Sequence, residues 1–284
     1  MNSYHQKIIE YYHGTEKAYK YGWGVEKNLA IHYGYWDDKV KSFSQSLQRM
    51  NEIMAEEAVI SMGDRILDAG CGVGGSGIFL AKTLGCYTVG LTLSHRQKKR
   101  AEENALRYNV SERTEFHLMD YGHTTLDGET FDIVWGCESI CYADNKEQFI
   151  KEAFRLLKPG GRLVMADFMV PHFDNNAHPL VRNWLDGWSV NYLETKERFG
   201  DFMENAGFQK IRFRDISDNI MNTVKLLGKM YYFGKLYQVY RFIFGLERTA
   251  VSIGNINASR WQYLSKKENL WIYGLFSATK PKFL

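Results

Sequence analysis

Arg65 to Gly75 reads R-I-L-D-A-G-C-G-V-G-G: a short apolar run, a carboxylate at Asp68, then glycines at 70, 72, 74 and 75. Glycines at this density let a backbone turn sharply and come closer to a ligand than a Cβ would allow. A strand ending in such a turn before a helix is the layout of an α/β cofactor site. A second carboxylate, Glu138, stands in G-C-E-S-I-C-Y (136–142) with Tyr142 four residues on. Placed at the carboxyl end of a strand, that acid can take a proton from a reacting molecule. His32 and His172 are further candidate bases, and Asp120-Tyr121 ends another apolar segment.

These residues need elements to hold them. Arg65 to Asp68 predicts the first strand and Ile78 to Leu84 a helix stopped by Gly85. Further strands are expected at Tyr87 to Leu91, Glu115 to Met119, Phe131 to Trp135, Arg162 to Asp167, Lys210 to Asp215 and Trp271 to Thr279. Helices are expected at Asn145 to Leu157 and at Thr195 to Asn205, the latter capped by Thr195 and ended by Gly207. L-L-K-P-G-G (156–161) reads as a turn feeding the fifth strand. Between the last two strands lie residues 216–270, too many for a structureless loop, so this insertion must carry its own helices. Within it Leu226, Met230, Phe233, Tyr237, Tyr240 and Phe244 recur at helical steps, with Lys225, Lys229, Lys235 and Arg241 off that face. Core packing, a lid over an apolar substrate and a membrane-surface helix all fit that pattern, and Gly228 and Gly234 argue against one rigid helix.

Gly70, Gly72 and Gly75 alone match the dinucleotide pattern G-x-G-x-x-G. No Lys-Ser or Lys-Thr pair directly follows the glycines, which excludes a Walker phosphate loop. A dinucleotide site also wants an acid roughly 20 residues on, at the end of the second strand. Thr92 stands there instead.

That arrangement resembles motif I of the S-adenosylmethionine-dependent methyltransferases with the Rossmann-like fold, and the likeness extends over nearly the whole chain. V-G-L-T-L-S-H-R-Q (89–97) is similar to the second-strand motif of the cyclopropane-fatty-acid, tocopherol and sterol methyltransferase relatives, and L-L-K-P-G-G to a common later motif of the class. Y-G-W-G (21–24), H-Y-G-Y-W-D (32–37) and D-I-S-D-N (215–219) resemble segments of the sterol and tocopherol enzymes, and E-S-x-x-Y at Glu138 a segment of the prenyl-diphosphate C-methyltransferases. The resemblance implies an α/β fold with a seven-stranded, mostly parallel sheet whose last strand is antiparallel. It implies a helical, aromatic cap over 1–60 and a methyltransferase domain over 61–284, with substrate-lid insertions at about 168–194 and 216–270. S-adenosyl-L-methionine is the implied cofactor, and Tyr33, Asp68, Gly70, Cys71, Gly72, Gly74, Thr92, Leu93, Gln97, Asp120, Tyr121 and Cys137 are its implied contacts. Glu138, Tyr142 and His172 are the expected catalytic residues, and Trp23, Trp36, Trp184, Trp188 and Tyr237 the expected substrate pocket.

The implied reaction is methylation of a lipophilic small molecule. An alkene acceptor, isoprenoid or sterol-like, passes through a carbocation that needs aromatic faces and a base, and the chain is 15% aromatic. Methylation of oxygen or nitrogen on a phenol, quinol or amine is the alternative, with cyclopropanation or a non-catalytic binding scaffold further off. A diphosphate on the acceptor would call for cations, and Arg182, Lys196, Arg198 and Lys229 are available.

Composition narrows the classes. A net charge of +3 over 284 residues implies no nucleic-acid partner. The four cysteines form no C-x-x-C pair, and no His or Cys cluster has zinc spacing, so neither a disulfide nor a metal is expected. The N-terminus M-N-S-Y-H-Q-K lacks the layout of a signal peptide and no apolar run approaches a membrane span, so a cytoplasmic protein is expected, with peripheral membrane contact left open.

Overall fold

The computed structural model describes residues 2–282. Its strands are β1 (Arg65–Ala69), β2 (Tyr87–Thr92), β3 (Thr114–Leu118), β4 (Phe131–Cys137), β5 (Leu157–Met169), β6 (Gln209–Asp215) and β7 (Ile272–Thr279). They form one sheet in the order β3-β2-β1-β4-β5-β7-β6, with β7 antiparallel to both neighbours and the other neighbouring pairs parallel. The central strands are buried on both faces, which is why they read as runs of Ile66, Leu67, Ile133, Val134, Leu163 and Val164 without alternation. Strand order reverses between β1 and β4, and this opens a crevice at their carboxyl ends, just past Asp68 and Cys137.

The helices are α1 (Ser3–Ala18), α2 (Val25–Asn28), α3 (Phe43–Glu57), α4 (Gly75–Leu84), α5 (His95–Arg107), α6 (Lys146–Leu156), α7 (Pro179–Gly187), α8 (Lys196–Ala206), α9 (Met221–Ile243) and α10 (Ala250–Lys267). Ser94, Asn145 and Thr195 each accept a backbone N–H as N-cap of α5, α6 and α8. A single wide turn, Tyr19–Trp23, follows α1, and the stretch from Leu29 to Asp37 is irregular rather than helical. It crosses the crevice and is pinned at Trp36, whose N–H donates to the Asn219 carbonyl at 2.8 Å.

Two expectations are corrected. K-P-G-G lies inside a long β5, because the end of the β7 segment pairs with it: Gly160 N–H donates to Lys280 at 2.9 Å and Lys280 N–H to Gly161 at 2.8 Å. And α9 is one unbroken helix of 23 residues despite its two glycines. A Cβ at Gly228 would lie 2.9 Å from the Tyr263 ring and one at Gly234 2.9 Å from Ile256, so both positions are where α10 comes close. Gly187 of α7 meets Gly254 and Ala258 of α10 in the same way, and the two insertions therefore pack on each other above the strand ends.

Candidate active site

A cavity of about 940 Å³ fills the crevice, walled by the β1, β2 and β4 ends below, α1 and the Leu29–Tyr33 stretch on one side, and α7, α9 and α10 above. At the bottom, Asp68 is buried with its Oδ2 unpartnered among the described residues, and burial raises its pKa to about 7. An acid so placed costs free energy until a donor meets it. Gly70 holds φ +96° with Ser139 packed where its Cβ would be, while a Cβ at Gly72 would meet nothing within 4 Å. The turn thus leaves open space beside Asp68.

Thr92 Oγ donates to Gln97 Oε1 at 2.8 Å, which leaves the Gln97 NH2 as that side chain's available donor. Leu93 continues the wall, and Cys71 and Cys137 line it with thiols that burial keeps protonated. Asp120 accepts the Gly122 N–H at 2.8 Å on one oxygen and has His5 Nε2 at 3.7 Å from the other. Tyr121 beside it donates to the Ser139 carbonyl at 2.6 Å. This set suits a ligand with a cationic amine at Asp68, hydroxyls at Gln97 and a flat heterocycle against Asp120 and Tyr121.

The other half is aromatic. Glu138 sits just past β4 at φ +49°, and its Oε1 accepts both the Tyr33 N–H and the Tyr273 hydroxyl at 2.6 Å. Burial pushes its pKa well above the usual carboxylate range, against the pull of those two donors. Around it Tyr33 meets Phe168 at 5.2 Å and Trp188 at 6.5 Å, Trp184 lies 5.7 Å from Trp188, and Tyr33 stacks on Tyr273 at 6.2 Å. Trp23 stands 6.0 Å from Tyr33, and the Tyr142 ring is 5.8 Å from Tyr12. Tyr11 ties this wall to α10 by donating to Asn255 at 2.9 Å while its oxygen lies 2.8 Å from that of Tyr19. His32 Nδ1 donates to the Tyr33 carbonyl at 2.9 Å, leaving Nε2 unpartnered among the described residues, and burial lowers its pKa so the ring is neutral.

Most of the expected site residues therefore share one cavity, Tyr237 at its outer end included. Three do not. His172 is exposed and opens the Phe173–Ala177 turn, away from the cavity, because the chain leaving β5 runs outward before α7. Trp36 lies outside the wall and fastens the cap, its Nε1 donating to Thr223 at 3.0 Å. Gly74 caps α4 with φ +86°, and a Cβ there would press on Phe116 and Ala101, so it serves packing rather than ligand approach. The four candidate diphosphate cations also lie off the wall, Arg182 being tied to the Val190 and Asn191 carbonyls and Arg198 to Glu194.

Tyr273, Tyr12, Tyr19 and Phe168 are not among the expected pocket residues, though Tyr12 and Tyr19 fall within the expected aromatic cap. Tyr12 and Tyr19 are seven residues apart, a same-face spacing that was available as a signal. Tyr273 and Phe168 are cross-strand partners in the β5–β7 register, which no local pattern reveals.

Residues 67–165 match the family model described as a methyltransferase domain. The chain is 30% identical to methyltransferase GfsG of Streptomyces halstedii, over 68% of this chain and 70% of that one. It is 29% identical to the sterol 24-C-methyltransferase of Saccharomyces cerevisiae over 77% of this chain, a match that spans only 57% of the yeast protein. Among solved structures, a geranyl diphosphate methyltransferase in complex with GPP and sinefungin superposes with a TM-score of 0.78, covering 98% of this chain and 99% of that one at 18% identity. At that identity the likeness concerns the fold.

Proposed function

Since this chain belongs to the S-adenosylmethionine-dependent methyltransferases, we propose that it methylates a carbon of a lipophilic alkene, isoprenoid or sterol-like, through a carbocation. The observation that carries the reading is Glu138, a carboxyl held by two donors inside a wall of aromatic faces. S-adenosylmethionine, when bound, supplies an electrophilic methyl group whose sulfur departs neutral. On this reading Asp68 meets the amine of that cofactor, Gln97 its ribose, and Asp120 with Tyr121 its adenine.

What the chain must then do is align and dispose of charge. Holding acceptor and methyl group in line can supply up to about 7–11 kcal/mol. Tyr33, Phe168 and Trp188 face the cation that methyl addition leaves on the acceptor, each worth about 0.5–2 kcal/mol. The Glu138 carboxylate takes the proton that restores a double bond, so no charge remains on the product. Lys17 and Arg96 of the wall are exposed, with Arg96 paired to Glu16, and Arg241 lies at the far end of α9. That distribution favours an acceptor without a diphosphate. So apolar an acceptor partitions into lipid, and we include a peripheral contact with a lipid surface in the same reading.

A second reading, O-methylation of a phenol or quinol, draws on the neutral His32 and its unpartnered Nε2. Methyl-labelled donor offered with a panel of sterols, prenyl alcohols, quinols and geranyl diphosphate separates the two. A new methyl on carbon, with Glu138→Gln inactive and His32→Gln active, is the expected result. A methyl found on oxygen or nitrogen overturns the carbocation route.

A further inference from the structure

Past Leu227, α9 packs on α10 along one side, at Gly228, Gly234 and Gln238, and turns its other side chains outward. Ten large apolar side chains between Tyr232 and Leu246 are exposed, more than on the rest of the described surface together, with Phe233 at 71% and Phe242 at 70%. Isolated exposed hydrophobics are ordinary, but a contiguous apolar patch of this size marks a contact site. From Tyr232 to Thr249 the chain carries Lys235, Arg241 and Arg248 against a single acid, Glu247. The Arg241 guanidinium lies 5.6 Å from the Tyr237 ring and that of Arg248 5.3 Å from the Phe242 ring, so both cations are mounted directly on the apolar tip.

We propose that the end of α9 and its turn into α10 dock on an anionic lipid bilayer, and that the acceptor enters the cavity from there. The proposal rests on the acceptor being lipophilic. Three observations point to a bilayer. The cavity wall continues along Met230, Phe233, Tyr237 and Arg241 to the tip, so the apolar route from reaction centre to apolar surface is unbroken. Aromatic side chains and cations with long apolar stems are the groups that settle at a headgroup boundary, rings below and charges above. A two-fold contact with a second copy would instead gather the three cations of each tip in one interface, whereas anionic lipids attract each of them. No helix among the described residues is long and apolar enough to cross a membrane, so the contact is peripheral.

Vesicle sedimentation of the full chain tests this without any acceptor. Vesicles of phosphatidylcholine with about one quarter phosphatidylglycerol are expected to carry the protein down, and phosphatidylcholine alone or added salt to release it. Phe242→Ser with Phe244→Ser, neither residue being in the cavity wall, is expected to weaken vesicle binding about tenfold or more. Lys235→Glu is expected to abolish the preference for anionic vesicles. Turnover of a detergent-dispersed acceptor, and the thermal shift with S-adenosylhomocysteine, should be the same in these variants as in the parent chain. Equal sedimentation of parent and double variant, or no sedimentation of either, overturns the docking surface. So does a dimer that the double variant dissolves while vesicles bind neither form, which would assign the tip to a second copy. These outcomes leave methylation standing, whereas turnover of no lipophilic acceptor with docking intact would count against the reaction alone.

Discussion

At Glu138, burial and hydrogen bonding work against each other: enclosure favours the neutral acid, while the Tyr33 N–H and the Tyr273 hydroxyl favour the carboxylate. Enclosure wins, so the base becomes available only as pH rises, and turnover should climb along a limb above the usual range for a glutamate. Tyr273→Phe removes one donor and moves that limb to higher pH in the kcat profile, and an unmoved limb would count against Glu138 as the base. Glu138→Gln should cost about 10²–10⁴ in kcat while S-adenosylhomocysteine affinity, read by calorimetry, stays put. At Asp68 the raised pKa of about 7 means that the free protein holds this proton more tightly than its unfolded chain does. Its contribution to stability is therefore full below the ordinary carboxylate range and is lost as pH rises to about 7. A cationic amine beside it reverses the preference, so cofactor-product affinity should fall as pH drops through about 7, with proton release on binding visible as a buffer-dependent heat. Asp68 and Glu138 were legible in the sequence because each stands in a local motif at a strand end. Tyr273 was not, because it reaches Glu138 only through the pairing of Phe168 with Tyr273, residues far apart in the chain.

The helix α9 shows what a periodic pattern can and cannot say. Apolar steps from Leu226 to Phe244 revealed a helix but not what covers it: α10 covers one side, and most of the large side chains from Tyr232 onward are exposed. Its glycines misled for a related reason: propensity is a property of an isolated helix, and Gly228 and Gly234 answer to α10. The two effects differ in sign and can be separated. By propensity alone Gly228→Ala should stabilise by about 0.5–1 kcal/mol. The close approach of the Tyr263 ring makes it overpacked instead, with an expected loss of about 1–3 kcal/mol in urea unfolding. A gain in stability would show that α9 and α10 sit less tightly than described. The β-strands were read nearly to the residue because buried parallel strands are continuous apolar runs, whereas β5 grew through K-P-G-G on account of a neighbour from the other end of the chain.

Taken whole, the molecule is a sheet whose strand ends wall one half of the cavity, the cofactor half on the proposed reading, and a set of helical additions that wall the other, the proposed acceptor half. Ligand that binds only the folded chain raises its stability, and saturating S-adenosylhomocysteine at about a hundred times its dissociation constant should add about 2.7 kcal/mol. Absence of any such gain would count against the cofactor site. The cofactor half could be read from residues close together in sequence. The acceptor half draws on α1, α7, α9 and α10, and is assembled only by tertiary packing. One contact joins the two halves. The N–H given to Glu138 belongs to Tyr33, in the stretch that crosses the crevice, so the base is completed by the same chain segment that closes the site. When that segment lifts, Glu138 loses a donor but gains water, and because burial is the larger influence its carboxyl falls back toward the ordinary carboxylate range. The cap thereby works as a tuning screw: a site open to water holds a weak base, and shutting it raises the affinity of Glu138 for the proton it is to take.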